Sequence, residues 1–471
     1  MPQKIKFGTD GWRGIIGKDF NLNNVASVAQ AIADYLTQTS KQAAKVAVGY
    51  DTRRLSRQAA RCIAQVLAAN KIKVTLSQKP LPVQAISYTV RFKKYTAGIM
   101  VTASHNPPSF NGIKIKGSFG GPVESKITSR IEKFIFKSKV LKVSVRKAQK
   151  RGFLEITNLV PGYLRFLKSY LNMSLLNKGR LRVLVDSMHG TANGYIAWVL
   201  RNSSFKVTTI HQNFDSTFGA VKPEPIQSCL REASGLLKGG GFDVGLATDG
   251  DADRIGALDS RGRFVDPQQI ISLLLLYLVR YRKLKGAVVK TISGTALLER
   301  IAKKYKLRVY ETPVGFKHIS QLMQSKNILI GGEEAGGIGV KNYLPERDGI
   351  LVGLLLLEMM ITKGKSLAQL LKDMHAEFGS CVYLRKDIKC LPCDKIKVRQ
   401  RIASLRKQKK FLGITIRTIK DYDGLKFYLS DGSWILFRLS GTEPILRIYA
   451  ESSSLAKTKQ LIAQGTRRVK I

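Results

Sequence analysis

The stretch FDVGLATDGDADR, residues 242–254, joins a short apolar run to three acidic residues at alternate positions. The apolar half, Phe242–Ala247, is typical of a buried β-strand, which places Asp249, Asp251 and Asp253 on the loop at its carboxyl end. Three carboxylates so close together repel one another unless a cation lies between them, and oxygen ligands of this kind suit Mg²⁺. The stretch therefore predicts a magnesium site at the end of a buried strand.

Two other interpretations of the acidic loop compete with a magnesium site. A calcium-binding EF-hand needs Gly at its sixth position and Glu at its twelfth, where this chain has Arg254 and Ser260. It also follows a helix, whereas Phe242–Ala247 has the pattern of a strand, so the EF-hand is excluded. A purely structural turn stays open, although three clustered acids are unusual in so basic a chain.

Three more polar, glycine-containing or proline-containing loops follow apolar strands in the same way, at residues 102–108, 331–337 and 438–442. In open α/β sheets, ligands bind beyond the carboxyl ends of the strands. Four such loops on separate units predict one cleft that is assembled by several domains.

The loop Thr102–Pro108 carries Ser104 between small residues, in a turn stiffened by two prolines. Such a turn is sterically open and suits a nucleophilic or phosphate-carrying hydroxyl. Lys114 and Lys116 follow and supply the cations that a phosphoserine needs. The alternative is a turn whose serine and asparagine side chains only bond the backbone.

The remaining two loops carry groups suited to sugars and phosphates. Glu333 stands among glycines, where a carboxylate can accept hydrogen bonds from sugar hydroxyls, although a solvated turn fits equally well. The segment from Arg438 to Arg447 offers guanidinium groups, hydroxyls and loop amides, which together can bind a phosphate dianion. An ordinary hairpin with surface arginines is the alternative there.

Composition limits the class of protein. The 471 residues are 44% hydrophobic, which excludes wholesale disorder. The longest apolar runs, Ile270–Val279 and Ile350–Ile361, are shorter than the ~20 residues of a membrane-spanning helix. Five cysteines and a polar N-terminus predict a cytoplasmic protein. The 79 Lys and Arg against 33 Asp and Glu give a formal charge of +46, which suits nucleic acid or phosphorylated substrates as partners.

Taken together, the loops resemble the α-D-phosphohexomutase family, which comprises the phosphoglucomutases and phosphomannomutases. The resemblance extends along the chain in the family's order. It includes Phe7–Gly14, the Ser104 loop, Asp249–Arg254, Gly332–Gly337 and Arg438–Arg447.

This resemblance implies an α/β fold: three related α/β domains with mixed sheets, plus a smaller C-terminal α+β domain, around a central cleft. We expect the domains at residues 1–150, 151–258, 259–375 and 376–471. They would carry, in that order, the phosphoserine, metal-binding, sugar-binding and phosphate-binding loops. The basic stretch Lys126–Arg151 is expected to bridge the first two domains.

The resemblance also implies roles for individual residues. Ser104 would carry a phosphoryl group and, with Asp249, Asp251 and Asp253, hold one Mg²⁺. The expected residues of the reacting centre, besides Ser104, are Arg13, His105 and Lys114, with His105 or Lys114 accepting a proton. The expected substrate-binding residues are Arg254, Lys317, His318, Glu333, Ala335, Arg438, Ser440, Gly441, Thr442 and Arg447.

The implied activity interconverts hexose 1-phosphate and hexose 6-phosphate, of glucose or mannose or both. It proceeds through a phosphoserine enzyme and a bisphosphorylated sugar, which is intermediate and activator. Ala335 stands where many relatives have serine, so the preferred sugar stays open.

Several alternatives to this activity stay open. Phosphoglucosamine mutase is one, although its sugar loop typically ends in Ser-Gly-His rather than Ala335-Gly336-Gly337. Phosphopentomutase-like activity is another, and a nucleic-acid-binding or polyanion-binding descendant of a mutase is an alternative of a different class. The expected partner is a small phosphosugar, with no membrane involved, and the expected state is a monomer or homodimer.

Overall fold

The chain folds around four β-sheets that follow one another along the sequence. The computed structural model describes residues 5–40, 42–391, 394–440 and 445–469. The sheets have six, five, four and six strands, and helices pack against them. The predicted α/β fold, with three related domains and a distinct C-terminal one, is confirmed.

The first domain has a mixed sheet of six strands. Its strands are β1 (Trp12–Ile15), β2 (Lys45–Tyr50), β3 (Lys73–Ser77), β4 (Ala97–Val101), β5 (Phe110–Gly117) and β6 (Leu154–Thr157). Its helices are α1 (Leu22–Thr39), α2 (Ser56–Ala69), α3 (Val83–Phe92), α4 (Ser125–Glu132) and α5 (Val145–Lys150). Strands β4, β2, β3 and β6 are parallel, and β5 and then β1 join antiparallel at one edge. Strands β2, β3 and β4 are buried almost throughout, because helices pack against them.

The second domain has a mixed sheet of five strands. Its strands are β7 (Arg182–Asp186), β8 (Lys206–Ile210), β9 (Val244–Thr248), β10 (Ile255–Asp259) and β11 (Phe264–Val265). Its helices are α6 (Val160–Tyr170), α7 (Met173–Lys178), α8 (Tyr195–Leu200) and α9 (Arg231–Lys238). Strands β8, β7 and β9 are parallel, and β10 and then β11 are antiparallel.

The third domain has a mixed sheet of four strands and the most apolar helices. Its strands are β12 (Ala287–Thr291), β13 (Val309–Thr312), β14 (Ile328–Gly332) and β15 (Ile338–Val340). Its helices are α10 (Pro267–Arg280), α11 (Leu297–Lys304), α12 (Phe316–Ser325), α13 (Gly349–Lys363) and α14 (Leu367–Phe378). Helix α13 is buried on every side from Gly349 to Met360, as its uninterrupted apolar sequence requires.

The fourth domain differs, because all strands of its six-stranded sheet are antiparallel. Its strands are β16 (Val382–Lys389), β17 (Lys410–Phe411), β18 (Ile414–Lys420), β19 (Leu425–Leu429), β20 (Trp434–Leu439) and β21 (Ile445–Ser452). Its helices are α15 (Lys395–Ser404) and α16 (Leu455–Arg468). This domain has a hydrophobic cluster of its own, whereas the largest cluster of the protein runs through the first three domains.

One hairpin recurs in the first three sheets and places the predicted loops. A parallel strand (β4, β9 or β14) turns back into an antiparallel neighbour (β5, β10 or β15). The turns are residues 102–109, 249–254 and 333–337, which are the serine, acidic and sugar loops. Strands β20 and β21 form a hairpin around the fourth loop. The serine, acidic and sugar loops are therefore hairpin tips, and the fourth candidate loop follows the end of β20.

The first two sheets extend past the domain boundaries that the sequence predicts, because three of their strands reach beyond those residues. Strand β6 pairs with β3, so the first sheet extends beyond residue 150, and β10 and β11 carry the second sheet beyond residue 258. The stretch Lys126–Arg151 is no bridge, because it forms α4 and α5, which pack on α1 and α2 and lead to β6. The predicted boundary at residue 375 falls inside α14.

The helices of the described residues include none that is long and apolar enough to cross a membrane.

A histidine links helix α9 to the carboxyl end of the second sheet by contacting a carboxylate on each. His211 follows β8, and its Nδ1 lies 2.8 Å from Asp186 Oδ1 while its Nε2 lies 3.1 Å from Glu232 Oε2 on α9. The hydrogen bond to Asp186 outweighs partial burial and raises the pKa of His211 to about 9. The protonated ring therefore stabilises the folded domain.

His211→Gln is expected to lower the melting temperature by roughly 1–2 °C at about pH 6 and to leave it unchanged at about pH 10. The pKa of His211 is higher in the folded protein than its usual value of 6.5. The protonated ring therefore stabilises the folded state fully below pH 6.5, and this stabilisation is lost as the pH rises through about 9. Differential scanning fluorimetry across this pH range measures the difference. The control is His375→Gln, because burial lowers the pKa of His375 and gives the opposite pH dependence. A difference in melting temperature between His211→Gln and wild type that does not change with pH would contradict the prediction.

Candidate active site

A cavity of about 130 Å³ lies where the four hairpin loops meet, and all four domains line it. Its basic residues are Arg13, Lys222, Arg254, Arg347, Arg385, Arg438 and Arg447. Its acidic residues are Asp10, Glu224, Glu333, Glu334 and Asp387. The predicted residues that line it are Arg13, His105, Arg254, Glu333, Ala335, Arg438, Ser440 and Arg447. An excess of cations in a concave wall favours an anionic ligand.

Ser104 lies at the tip of the β4–β5 hairpin with a left-handed backbone, its φ being 52°. Such a conformation costs a non-glycine residue about 1–3 kcal/mol, so its surroundings must hold it. The Ser104 hydroxyl donates to Asp249 Oδ2 at 2.6 Å, and Oγ lies 3.4 Å from His105 Nδ1. The turn is less open than predicted, because only 1% of Ser104 is exposed and its hydroxyl faces the acidic loop.

Arg53 holds the serine loop in this conformation, and sequence reasoning assigned it no role. Its guanidinium donates to four carbonyl oxygens of the loop, those of Ser104, Asn106, Pro107 and Phe110, at 2.6 to 3.0 Å. Asp51 Oδ2 lies 3.2 Å from Arg53 Nε and balances its charge. Both residues are buried, so removal of either would leave an unpaired charge, at a cost of about 3–5 kcal/mol.

The three aspartates of the acidic loop come together in one buried cluster. One carboxylate oxygen from each lies within 4.8 Å of the others. Burial, followed by the charges of Asp253 and Asp251, raises the pKa of Asp249 well above its usual value. Burial also acts to raise the pKa of Asp253, but Arg347 and Lys114 outweigh it and lower that pKa to about 2. The alternate spacing of acids therefore produces the predicted repulsion at Asp249, whereas nearby cations offset it at Asp253.

Lys114 reaches this cluster from strand β5. Its Nζ lies 2.7 Å from Asp253 Oδ2, 2.8 Å from Asp251 Oδ2 and 2.9 Å from Asp10 Oδ2. Burial acts to lower the pKa of Lys114, but the three carboxylates reverse that effect and raise it. Lys114 thus contacts the acidic loop directly, and strand register explains its position, because β5 lies between β1 and β4.

Arg347 is a second central residue that the sequence did not reveal. Its guanidinium contacts Asp253 Oδ2 at 2.6 Å, Glu333 Oε2 at 3.1 Å, and Asp10. These partners belong to the acidic loop, the sugar loop and the N-terminal motif. Arg347 follows Glu346 on the connection from β15 to α13, where no motif marks it.

The two glutamates of the sugar loop have different surroundings. Glu333 faces Arg347, whereas Glu334 accepts hydrogen bonds from Ser293 Oγ at 2.7 Å and from Thr291 Oγ1 at 3.3 Å. Gly336 has a φ of 96°, and a Cβ there would lie 2.6 Å from the carbonyl oxygen of Ile255. The sugar loop and the end of the acidic loop are therefore in direct contact.

The fourth loop presents basic groups from the C-terminal domain. Arg438 Nε donates to Asp423 Oδ1 at 2.9 Å, and Arg447 Nε lies 3.8 Å from Asp387 Oδ2. The Ser440 amide donates to the carbonyl of Ile445 at 2.9 Å. Gly441 and Thr442 lie outside the described residues.

Two predicted substrate-binding residues lie away from the cavity wall. Lys317 Nζ donates to Ser125 Oγ of the first domain at 2.6 Å, and neither Lys317 nor His318 lines the cavity. Helix α12 begins at Phe316, and this residue lines the cavity together with Val314 and Gly315, which precede the helix. Lys222 and Arg385 line it without having been predicted, because neither belongs to one of the four loops.

A serine hydroxyl lies beside a buried carboxylate cluster, under a cavity with an excess of cations. This arrangement is suited to an enzyme that transfers phosphoryl groups. The chain belongs to the phosphoglucomutase/phosphomannomutase family, whose members are isomerases that transfer phosphoryl groups. Models of the family's alpha/beta/alpha domains I, II and III match residues 4–142, 161–262 and 266–378. The model of its C-terminal domain matches residues 394–466.

Similar proteins carry several mutase names. A phosphoglucomutase/phosphomannomutase of Thermococcus kodakarensis is 28% identical over 464 residues, which cover 98% of this chain and 97% of that protein. A phosphoglucosamine/phosphogalactosamine mutase of Sulfurisphaera tokodaii is 30% identical over 95% of each chain. The crystal structure of a provisionally assigned phosphomannomutase from Thermus thermophilus is 33% identical, with a TM-score of 0.88 over 100% of both chains. The names agree on the reaction and differ in the sugar.

Gly250 lies between the first two aspartates, where a Cβ would be 2.7 Å from the carbonyl oxygen of Ser104. We expect Gly250→Ala to push the acidic and serine loops apart and to lower mutase kcat/KM by roughly ten- to a hundredfold. Kinetic assays with hexose 1-phosphates measure the loss.

Gly235→Ala is the matched control, because a Cβ at that position in helix α9 would have nothing within 4 Å. It should retain full activity. Equal activity of the two variants would contradict a close contact between the serine and acidic loops.

Proposed function

We propose that this protein is a phosphosugar mutase that interconverts hexose 1-phosphate and hexose 6-phosphate, of glucose or mannose or both. The reaction would proceed through phosphorylated Ser104 and a bisphosphorylated sugar. The observation that carries the proposal is the 2.6 Å contact between Ser104 Oγ and Asp249 Oδ2, which joins hairpin tips of two domains. A serine that only shapes a turn needs no carboxylate cluster at its hydroxyl, whereas a phosphoryl carrier beside a metal site does.

The transfer step would start with the phosphoryl group on Ser104. The Oγ–P bond breaks, its electron pair stays on Oγ, and a sugar hydroxyl oxygen forms a new O–P bond. The hydroxyl proton would pass to His105, whose pKa is lowered by burial, because Lys114 with its raised pKa already carries a proton. Arg13, which donates to Asn106 Oδ1 at 2.7 Å, would help to neutralise the phosphoryl oxygens. Positioning and charge neutralisation supply most of the catalysis in such reactions.

The second half of the cycle would return a phosphoryl group to Ser104 from the other end of the sugar. The bisphosphate must turn over between the two steps, while its non-reacting phosphate stays bound. The support for this step is that Arg438, Ser440 and Arg447 line the cavity from the fourth domain, whereas His105 lines it from the first. Guanidinium groups bind a phosphate dianion well because they offer paired donors.

The acidic loop fits a magnesium ion. Asp251 Oδ1 and Asp253 Oδ1 are buried carboxylate oxygens that accept no hydrogen bond in the described part of the chain. The proposed ligands are Asp249, Asp251, Asp253 and the phosphate on Ser104. Bound there, Mg²⁺ would supply charge stabilisation to the phosphoryl group during transfer.

Phosphoglucosamine mutase is the second candidate function. The observation in its favour is the Sulfurisphaera tokodaii relative, which carries that activity in its name at 30% identity. Ala335 lines the cavity and cannot donate a hydrogen bond to a sugar hydroxyl, so it does not decide between the sugars.

We expect Ser104→Ala to lower mutase turnover by roughly a thousandfold or more, without lowering the melting temperature appreciably. The alanine cannot accept a phosphoryl group, whatever the sugar. A coupled assay from glucose 1-phosphate to glucose 6-phosphate measures the loss.

Ser109→Ala is the control, because Ser109 lies in the same turn with its side chain exposed. It should turn over at the wild-type rate. Near-normal activity of Ser104→Ala would rule out the phosphoserine route.

Asp251→Asn is expected to weaken Mg²⁺ binding and to lower kcat on the order of a hundredfold, because an amide oxygen carries no charge to offer the cation. Calorimetric titration with Mg²⁺ and activity as a function of Mg²⁺ concentration measure both effects. Asp373→Asn removes an exposed carboxylate on α14 and serves as the control. Unchanged Mg²⁺ affinity in Asp251→Asn would refute the proposed ligand set.

A further inference from the structure

The first domain concentrates positive charge in one part of the chain. Residues 52–151 contain 22 Lys and Arg but only two acids, Glu124 and Glu132. About a fifth of the chain therefore carries +20 of the net charge of +46. Glu132 is already occupied, because its Oε1 accepts a hydrogen bond from the Phe7 amide at 2.6 Å. The proposed mutase reaction involves the buried Lys114 and gives no use to the exposed cations of this region.

Helix α2 carries two of these cations in a line. Arg57, Arg61 and Gln65 follow one another at intervals of four residues, so they share one face of the helix and lie about 6 Å apart along its axis. Arg57 and Arg61 are exposed, and neither forms an ion pair with another described residue. Their charge is therefore available to an anion in solvent.

The segment between α4 and α5 continues this line. The Val143 amide donates to the Gln65 carbonyl at 3.4 Å, so the segment meets α2 one turn beyond Arg61. Burial raises the pKa of the Cys62 thiol, and the charge of Lys142 partly opposes that rise, which places Lys142 beside α2 as well. Lys142, Arg61 and Arg57 thus form a basic track along the surface of the first domain.

A cavity of about 410 Å³ lies at the other end of the basic track, beside the start of α2. Its lining includes three exposed cations, Arg54, Arg57 and Lys79. Asp51, the acid among its described lining residues, is already paired with a buried arginine. Phe214 reaches the cavity from the second domain with 54% of its surface exposed. The cavity therefore combines an exposed aromatic ring with cations that lack acidic partners.

These features fit a single-stranded nucleic acid better than a membrane. A basic surface that binds an anionic membrane presents a broad apolar face. Between residues 126 and 151 the exposed large apolar residues are Phe136 and Leu141, which are too few to form such a face. A single strand offers phosphates in a line and flat bases that stack on aromatic rings, whereas a duplex keeps its bases stacked inside.

We propose that this surface of the first domain binds single-stranded nucleic acid. The phosphates contact the basic track, and a base stacks on Phe214 at the cavity. None of Arg57, Arg61, Lys142 and Phe214 lines the central cavity, so this surface is separate from the proposed active site.

Fluorescence anisotropy with a labelled single-stranded RNA of about 20 nucleotides tests the proposal on the full chain at several salt concentrations. We expect wild type to bind with a Kd of about 10 µM or tighter at roughly 0.15 M salt. The triple variant Arg57→Gln, Arg61→Gln, Lys142→Gln should raise Kd by about tenfold or more. It should also lower the slope of log Kd against log salt concentration by about 2, because each lost phosphate contact removes about 0.7 from that slope.

The matched control is the triple variant Lys397→Gln, Arg401→Gln, Lys407→Gln, which removes the same charge from exposed positions of the fourth domain. Its Kd should stay within about twofold of wild type. Equal losses in the two triple variants would show that overall charge, rather than this surface, binds the RNA, and would overturn the proposal. Wild type that does not bind the RNA at about 0.15 M salt would overturn it as well.

Phe214→Ala tests the aromatic contact separately from charge. It should raise Kd by about fivefold or more and leave the salt slope unchanged, because the ring contributes stacking rather than charge. An unchanged Kd contradicts the stacking contact. Wild type that floats with vesicles of phosphatidylserine and phosphatidylcholine but does not bind the RNA would assign the surface to a membrane and overturn the proposal. These assays contain no sugar phosphate, so their results do not depend on the proposed mutase activity.

Discussion

Carboxylates that share a buried pocket must be neutralised, and the centre of this protein is organised around that requirement. Lys114 and Arg347 contact Asp10, Asp251, Asp253 and Glu333, while Asp249 adds a further acid close by. The acids outnumber these two cations, so the pocket keeps an excess of negative charge that a divalent cation would balance. The lysine comes from the first domain, the triad from the second and the arginine from the third. Charge compensation therefore binds three domains together at the place where the chemistry is proposed.

The buried strands and the candidate loops could be predicted because they are local features of the sequence, whereas the arrangement of the four domains came from the family resemblance. Apolar runs such as Lys45–Tyr50 predict buried strands, and a polar loop that directly follows a strand is visible without any long-range information. Strand β6 escaped prediction because it follows a basic stretch, and its sequence, with only its first residue buried, lacks the pattern of a core strand.

The supporting residues could not be predicted from local pattern, since their roles depend on distant contacts. Arg53 acts on carbonyl groups of a loop about fifty residues later, and Arg347 contacts Asp10 from near the other end of the chain. Lys317 and His318 were expected to bind substrate because the family resemblance implies it. Only the fold shows that Lys317 starts a helix turn and contacts Ser125 instead.

The basic residues behind the net charge of +46 lie in two kinds of surroundings. A few cations line the cavity or contact buried acids. The ten Lys and Arg of the stretch 126–151 are all exposed, and none forms an ion pair with another described residue. Exposed charge of one sign raises the local concentration of anions near a protein, an effect that salt weakens.

The recurring hairpin has a historical consequence. Three strand-turn-strand units whose flanking strands pair in the same way present a serine, an acidic triad and a glutamate that is proposed to bind the sugar. Copies that arise within one gene inherit the scaffold, and only their tips need to diverge. Changes at a few tip residues would then be enough to give each unit a different role in the shared cleft.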